Sequence, residues 1–185
     1  MAGNQFKTDE LGGLTFSATY TTQQYPLGTV AEQHPDDLPA TTIEGTVVGN
    51  SGVSATTNFA LLTGNREWVF VYAKEVIAAG QLCEWDFDHG VAYSVEPSDA
   101  NDTIVNLLAG VADNAIAAGS YGWIIKKGTC VVLAGTGVAA GSPLASHTTE
   151  GSVDEGGAAG TTIGVGLEAD GTTLASYAQA YISIP

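Results

Sequence analysis

Three of the four Ala-Ala-Gly sequences in this chain share one setting. A β-branched apolar residue stands before each and a polar residue after it: Ile77-Ala78-Ala79-Gly80-Gln81, Ile116-Ala117-Ala118-Gly119-Ser120 and Val138-Ala139-Ala140-Gly141-Ser142. Glycine takes positive φ without a Cβ clash, so each copy reads as a bend between two strands. The apolar residue is expected to plug the core, and the alanines to let neighbouring backbone come close. The spacings between copies differ, so this is one shell that reuses a corner rather than a solenoid.

The strands between the corners follow from alternation. In Glu67–Lys74, Trp68, Phe70 and Tyr72 face one way and Val69, Val71 and Ala73 the other. Both faces are apolar, which predicts a central strand. Tyr121–Lys126 alternates likewise, with Tyr121, Trp123 and Ile125 on one side. Lys127-Gly128 then reads as a tight turn, and Thr129–Leu133 as a buried strand returning from it. Further strands are expected at Gln81–Phe87, Gly90–Val95 and Thr162–Leu167, where the glycines suggest close backbone approach. In the last strand Leu174, Ser176, Ala178, Ala180, Ile182 and Ile184 share one face, and Tyr177 and Tyr181 the other. Thr46–Val48 reads as a short strand, and Ala55–Leu62 as a strand or a single helical turn. Pro97–Asp102 and Ser146–Gly160 read as loops, the second exposed and mobile.

The whole is an all-β chain: a small β-barrel or β-sandwich-like domain over 51–185, with short connecting turns and an extended N-terminal arm over 1–50. The arm is rich in Thr, Gln, Gly and Asp and carries Pro26, Pro35 and Pro39. A segment so polar cannot build a core of its own, and it is expected to order against something else, a neighbouring subunit first. The 24 glycines agree with an all-β fold of many turns.

Charge narrows the partners. Twenty acidic residues face five basic ones, a formal charge of −15. The cations Lys7, Arg66, Lys74, Lys126 and Lys127 are too few and too scattered to neutralise a run of phosphates, so nucleic acid is excluded as a partner. An anionic membrane surface is an equally poor one. Met1–Leu11 has no apolar core of the kind a signal peptide needs, and no segment is apolar enough for a spanning helix. The chain is therefore expected to be made in a cytosol. Cys83 and Cys130 sit among apolar neighbours and read as free buried thiols rather than a disulfide.

Candidate chemistry is thin. In Glu84-Trp85-Asp86-Phe87-Asp88-His89 the three carboxylates fall on one strand face and the two aromatics fill the other. That fits a half-buried strand better than a cation site, since nothing completes a ligand set. Asp99–Asp102 lacks the glycine and bidentate glutamate of a calcium loop. Asp154-Glu155 reads as a solvated pair. The histidines His34, His89 and His147 are far apart, and no nucleophile elbow, HExxH or phosphate-binding loop is present. No catalytic residue, metal or cofactor is assigned.

The central order does resemble a known family. Ala78-Ala79-Gly80, Gly110-Val111-Ala112, Ile116–Trp123, Gly128, Val138–Leu144 and Ile163–Ala169, followed by a last strand, are similar to the tailed-bacteriophage capsid decoration, or cement, proteins. The similarity covers roughly residues 75–185, and residues 1–60 depart from the common small cement protein. The resemblance implies a small β-barrel on the outer capsid surface of a virion. It further implies a homotrimer, bound to the major capsid protein and stabilising contacts between its subunits. Tyr121, Trp123, Tyr177, Tyr181, Phe16, Tyr20 and Tyr25 are the candidate contact residues, because aromatics are enriched at interfaces. Core packing is the alternative for Trp123. Gly80, Gly119, Gly128 and Gly141 are the candidate structural turns. The competing function is a carbohydrate- or receptor-binding β module of a phage surface or tail protein, with Trp68 or Trp85 against a sugar. A hydrolase using Glu84 and Asp88 comes third.

Overall fold

The computed structural model describes residues 5–7, 16, 18–33, 65–88, 90–98, 107–135, 137–156, 162–167 and 177–185. Among them are eleven strands and no α-helix: β1 Gln5–Lys7, β2 Val30–Gln33, β3 Arg66–Ala73, β4 Leu82–Trp85, β5 Ser94–Pro97, β6 Leu108–Ala112, β7 Tyr121–Leu133, β8 Pro143–Ser146, β9 Val153–Glu155, β10 Gly164–Gly166 and β11 Tyr177–Ser183. The all-β expectation is met. Expected elements at 46–48 and 55–62 lie outside the described residues, as do residues 99–102 of the loop expected over Pro97–Asp102; its first residue, Pro97, instead ends β5, and Ser98 is buried.

The pairings close on themselves. β3 pairs with β5, β5 with β4, β4 with β6, β6 with β7, and β7 with β3. From β7 the sheet continues through β11, β10, β8 and β9, and β2 and β1 extend it beyond β3. Two cores follow from strand alternation. One draws on all five ring strands: Val69, Val71 and Ala73, Cys83, Val95, Ala109 and Ala112, and Ile124. The other joins the opposite faces of β3, β6 and β7 to β8, β9 and β11, through Trp68, Phe70, Val111, Trp123, Ile125, Leu144, Val153, Ala178, Ala180 and Ile182. β3 is central, as its two apolar faces predict.

The three corners fold alike. Gln81 N–H donates to Ala78 O, Ser120 N–H to Ala117 O and Ser142 N–H to Ala139 O, at 3.3, 3.1 and 3.1 Å. Gly80, Gly119 and Gly141 have φ of 82°, 74° and 83°. A four-residue turn with positive φ only at its third residue is type II, which is why glycine recurs there. Ile77, Ile116 and Val138 are buried as plugs. Ile77 and Ile116 bond to each other through both backbone amides, at 2.9 and 2.8 Å, so the first two corners are paired. The alanines, expected at close contacts, are exposed except for Ala79.

Gly128 is not the hairpin turn expected of it. β7 runs unbroken for 13 residues. Glu67 faces Lys127 but Trp68 faces Ile125, so Lys126 is an extra residue in β7. Such a bulge reverses the alternation. Before it Trp123 and Ile125 point into the second core; after it Cys130, Val132 and Ala134 do. Gly128 has φ of 121°, and a Cβ on it would lie 2.7 Å from Asn65 O. It lets β7 pass close to the start of β3 while changing partner from the ring to β11.

Other expectations shift as well. Ser146–Gly160 is not an exposed loop over its described part: β8 and β9 pair as a hairpin, and Val153 is fully buried. His147 Nδ1 accepts the Thr149 N–H at 3.0 Å and tightens its turn. The ring proton therefore sits on Nε2, which lies 3.6 Å from Asp154. Glu155 is no free solvated group, since its Oε1 accepts from Ala139 N–H and Ser142 Oγ, at 2.9 and 2.8 Å, and holds the third corner. The strand expected over Gly90–Val95 starts only at Ser94.

Candidate interaction surfaces

Residues 16 and 18–33 of the arm lie against the chain's own body. Phe16 stacks on Trp68 with centroids 4.7 Å apart and meets Trp123 edge-on at 5.4 Å. Tyr25 packs on Phe70 and Trp123, at 5.2 and 5.4 Å. Tyr20 exchanges two backbone hydrogen bonds of 2.8 Å with Tyr121. β2 then pairs antiparallel with β3, and Gln33 Oε1 accepts from the Trp68 indole at 3.1 Å. Burial, and then Tyr25 beside it, raises the pKa of Tyr20.

The expected contact aromatics therefore separate. Phe16 and Trp123 are core residues of this chain. Tyr20, Tyr25 and Tyr121 are half-buried and occupied with one another and with Phe70. Tyr177 is half-buried beside Gly80. Tyr181 is 39% exposed and does not stand alone. Across β8, β10 and β11, Pro143, Val165 and Tyr181 are direct cross-strand neighbours. Pro143 is exposed, and Val165 and Leu167 are 40% and 45% exposed. An apolar row thus crosses three strands on the outer face. The glycines beside it explain how it is built: a Cβ on Gly164 would meet Tyr181 O at 2.1 Å, and one on Gly166 Ala139 O at 2.6 Å. The chains come this close because those residues lack side chains, as the sequence suggested.

A second surface was hidden in the sequence. β4 stops at Trp85 because the Asp86 carboxylate accepts the Asp88 N–H at 3.0 Å and turns the chain. Phe87, expected to fill a strand face, is left 73% exposed. With half-buried Trp85, and Val91, Ala92 and Tyr93, it lines a pocket of about 500 Å³. Asp86 is buried, not solvated: Ser94 Oγ donates to it at 3.3 Å and Lys74 Nζ lies 3.6 Å away. Lys74 also binds Glu96 at 2.7 Å, which with its other carboxylate neighbours raises its pKa. Glu84 is buried in β4, and Asp88 is exposed. Trp68, offered above as a sugar platform, is buried and cannot be one.

Cys83 and Cys130 are free and buried, and burial pushes both thiols up to about 12. Among the described residues no three His, Cys, Asp or Glu side chains gather as a metal would need. No helix among them is long and apolar enough to cross a membrane.

No family model matches the chain, and no curated protein matches it. Among solved structures it is similar to the head fiber gp8.5 N base of bacteriophage phi29, with 18% identity and a TM-score of 0.48, over 63% of this chain and 92% of that one.

Proposed function

We propose that this chain is a structural virion protein that binds the outer surface of a phage capsid, as a homotrimer, and stabilises contacts between major capsid subunits. Its task is adhesive, not catalytic. The observation that carries this reading is the recurrence of one type II corner at Gly80, Gly119 and Gly141, in the motif order that resembles the decoration proteins. The apolar row of Pro143, Val165, Leu167 and Tyr181 supports it, because a cement protein needs apolar surface that is covered only on assembly. The charge of −15 supports it too, by discouraging loose association between free trimers in solution. The mechanism is mass action: a protein that binds only the expanded lattice stabilises that lattice by its own binding free energy, multiplied over many copies.

Co-sedimentation with purified shells tests this reading. The protein is expected to pellet with expanded shells, at a saturating ratio, and not with unexpanded ones. Protein that stays in the supernatant with both refutes it.

A further inference from the structure

The pocket beside Phe87 carries an inference independent of the capsid reading. Val91-Ala92-Tyr93-Ser94 is a turn of the same kind as the corners, with Ser94 N–H donating to Val91 O at 3.2 Å. The corresponding turns at Pro26–Thr29 and Thr149–Ser152 place Gly28 and Gly151 at the third position, as the three corners place theirs. Here the residue is tyrosine, with φ of 57°, and no other non-glycine among the described residues has positive φ. That conformation persists only where surroundings hold it, and such residues gather at binding sites.

The surroundings do hold it. Tyr93 O accepts from Tyr72 N–H at 3.1 Å. The Tyr93 ring lies where a Cβ on Gly28 would be, within 2.6 Å of it, so Gly28 is the seat. Trp85 meets the ring edge-on at 5.7 Å. Tyr93 is nonetheless 49% exposed, and Phe87 stands open beside it.

The chemistry of the lining selects the occupant. The lining side chains with hydrogen-bonding carboxylate or hydroxyl groups besides Tyr93 are Asp86 and Ser94, and these bond to each other. A sugar would find few partners for its hydroxyls, whereas a cation lying on the faces of Phe87 and Tyr93, both exposed, keeps its outer side in water. Charge gives the sign. Lys74 is outnumbered by Glu75, Asp86 and Glu96 around it, and Asp88 is exposed next to Phe87. Aromatic faces in a field of excess carboxylates suit a cation.

We propose that the Trp85–Phe87–Tyr93 pocket receives an arginine or lysine side chain of a partner protein.

The test uses ¹⁵N-labelled full-length chain and N-acetyl-arginine N-methylamide as probe. The Trp85 indole resonance is followed, with the citrulline derivative as the neutral isostere and maltose as the sugar. A saturating shift with the arginine probe, weakened by salt and absent with citrulline, is expected. Phe87→Ala is expected to weaken the probe about threefold to tenfold without moving Tm, since Phe87 is exposed. Equal shifts from arginine and citrulline would mean apolar docking only and would overturn the proposal. So would saturation by maltose alone, an unmoved Trp85 resonance, or Phe87→Ala binding like the parent.

Discussion

Gly80, Gly119 and Gly141 share one φ but not the same neighbours, and that difference makes a graded prediction. A Cβ on Gly141 meets nothing and one on Gly119 only Tyr72 Oη at 3.9 Å, whereas one on Gly80 runs into the Tyr177 ring at 2.8 Å and Leu133 N at 3.3 Å. Gly119→Ala and Gly141→Ala should each cost about 1–2 kcal/mol, the left-handed penalty alone. Gly80→Ala should cost more, and Gly164→Ala, whose Cβ would meet the Tyr181 carbonyl, most of all. Urea unfolding of the four variants checks the order; equal costs would refute it. The thiols give a second residue-level test. Folded Cys83 and Cys130 hold their protons up to about 12, against 9.0 for an ordinary thiol. Above pH 9 the unfolded chain loses protons that the folded chain keeps, so stability falls as pH rises through that window. Each thiol should contribute about 1 kcal/mol of that loss by about pH 10. Cys83→Ala with Cys130→Ala should flatten the alkaline limb relative to the parent. These residues were legible in the sequence because turn chemistry and burial of Cys are local matters. Tyr93 was not, since nothing in Val91–Ser94 announces a left-handed tyrosine until Gly28 is brought under its ring.

At the level of the element, the strands with two apolar faces could be read directly, and the bulges could not. β3 emerged nearly intact because alternation alone defines it. Lys-Gly after an alternating run has the local signature of a hairpin and divides β7 in two, while the partner that makes it a bulge, Glu67-Trp68, lies far away in sequence. The β8–β9 hairpin is hidden for a similar reason: a Gly/Ser/acidic stretch has the composition of a solvated loop, and the burial of Val153 depends on strands distant in sequence. The bulge makes a sharp prediction. Lys126→Ala should change stability by no more than about 0.5 kcal/mol, because the half-buried side chain has no ion pair among the described residues. Deleting Lys126 should abolish the cooperative unfolding transition, because it turns Cys130, Val132 and Ala134 away from the core. Circular dichroism melting separates the two, and a deletion variant that melts like the parent would refute the bulge's role.

On the scale of the whole molecule, the structure divides surface from core in a way no single run of sequence could. Five of the seven candidate contact aromatics turn inward or pack on one another, because the arm folds back over β3 and β7; Tyr181 comes outward because β10 and β11 approach through glycines. The exposed row of Pro143, Val165, Leu167 and Tyr181 is the surface on which the proposed assembly would rest. Light scattering of Tyr181→Asp should then give a smaller species than the trimer expected of the parent, with an unchanged melting curve; a parent that is monomeric at all concentrations would contradict trimer formation. The most direct measurement is the temperature at which expanded shells open, with and without the protein. The account predicts that the parent raises this temperature and that Val165→Asp/Tyr181→Asp, though folded, leaves it unmoved. Shells unaffected by the parent, or protected equally by the double variant, would contradict it.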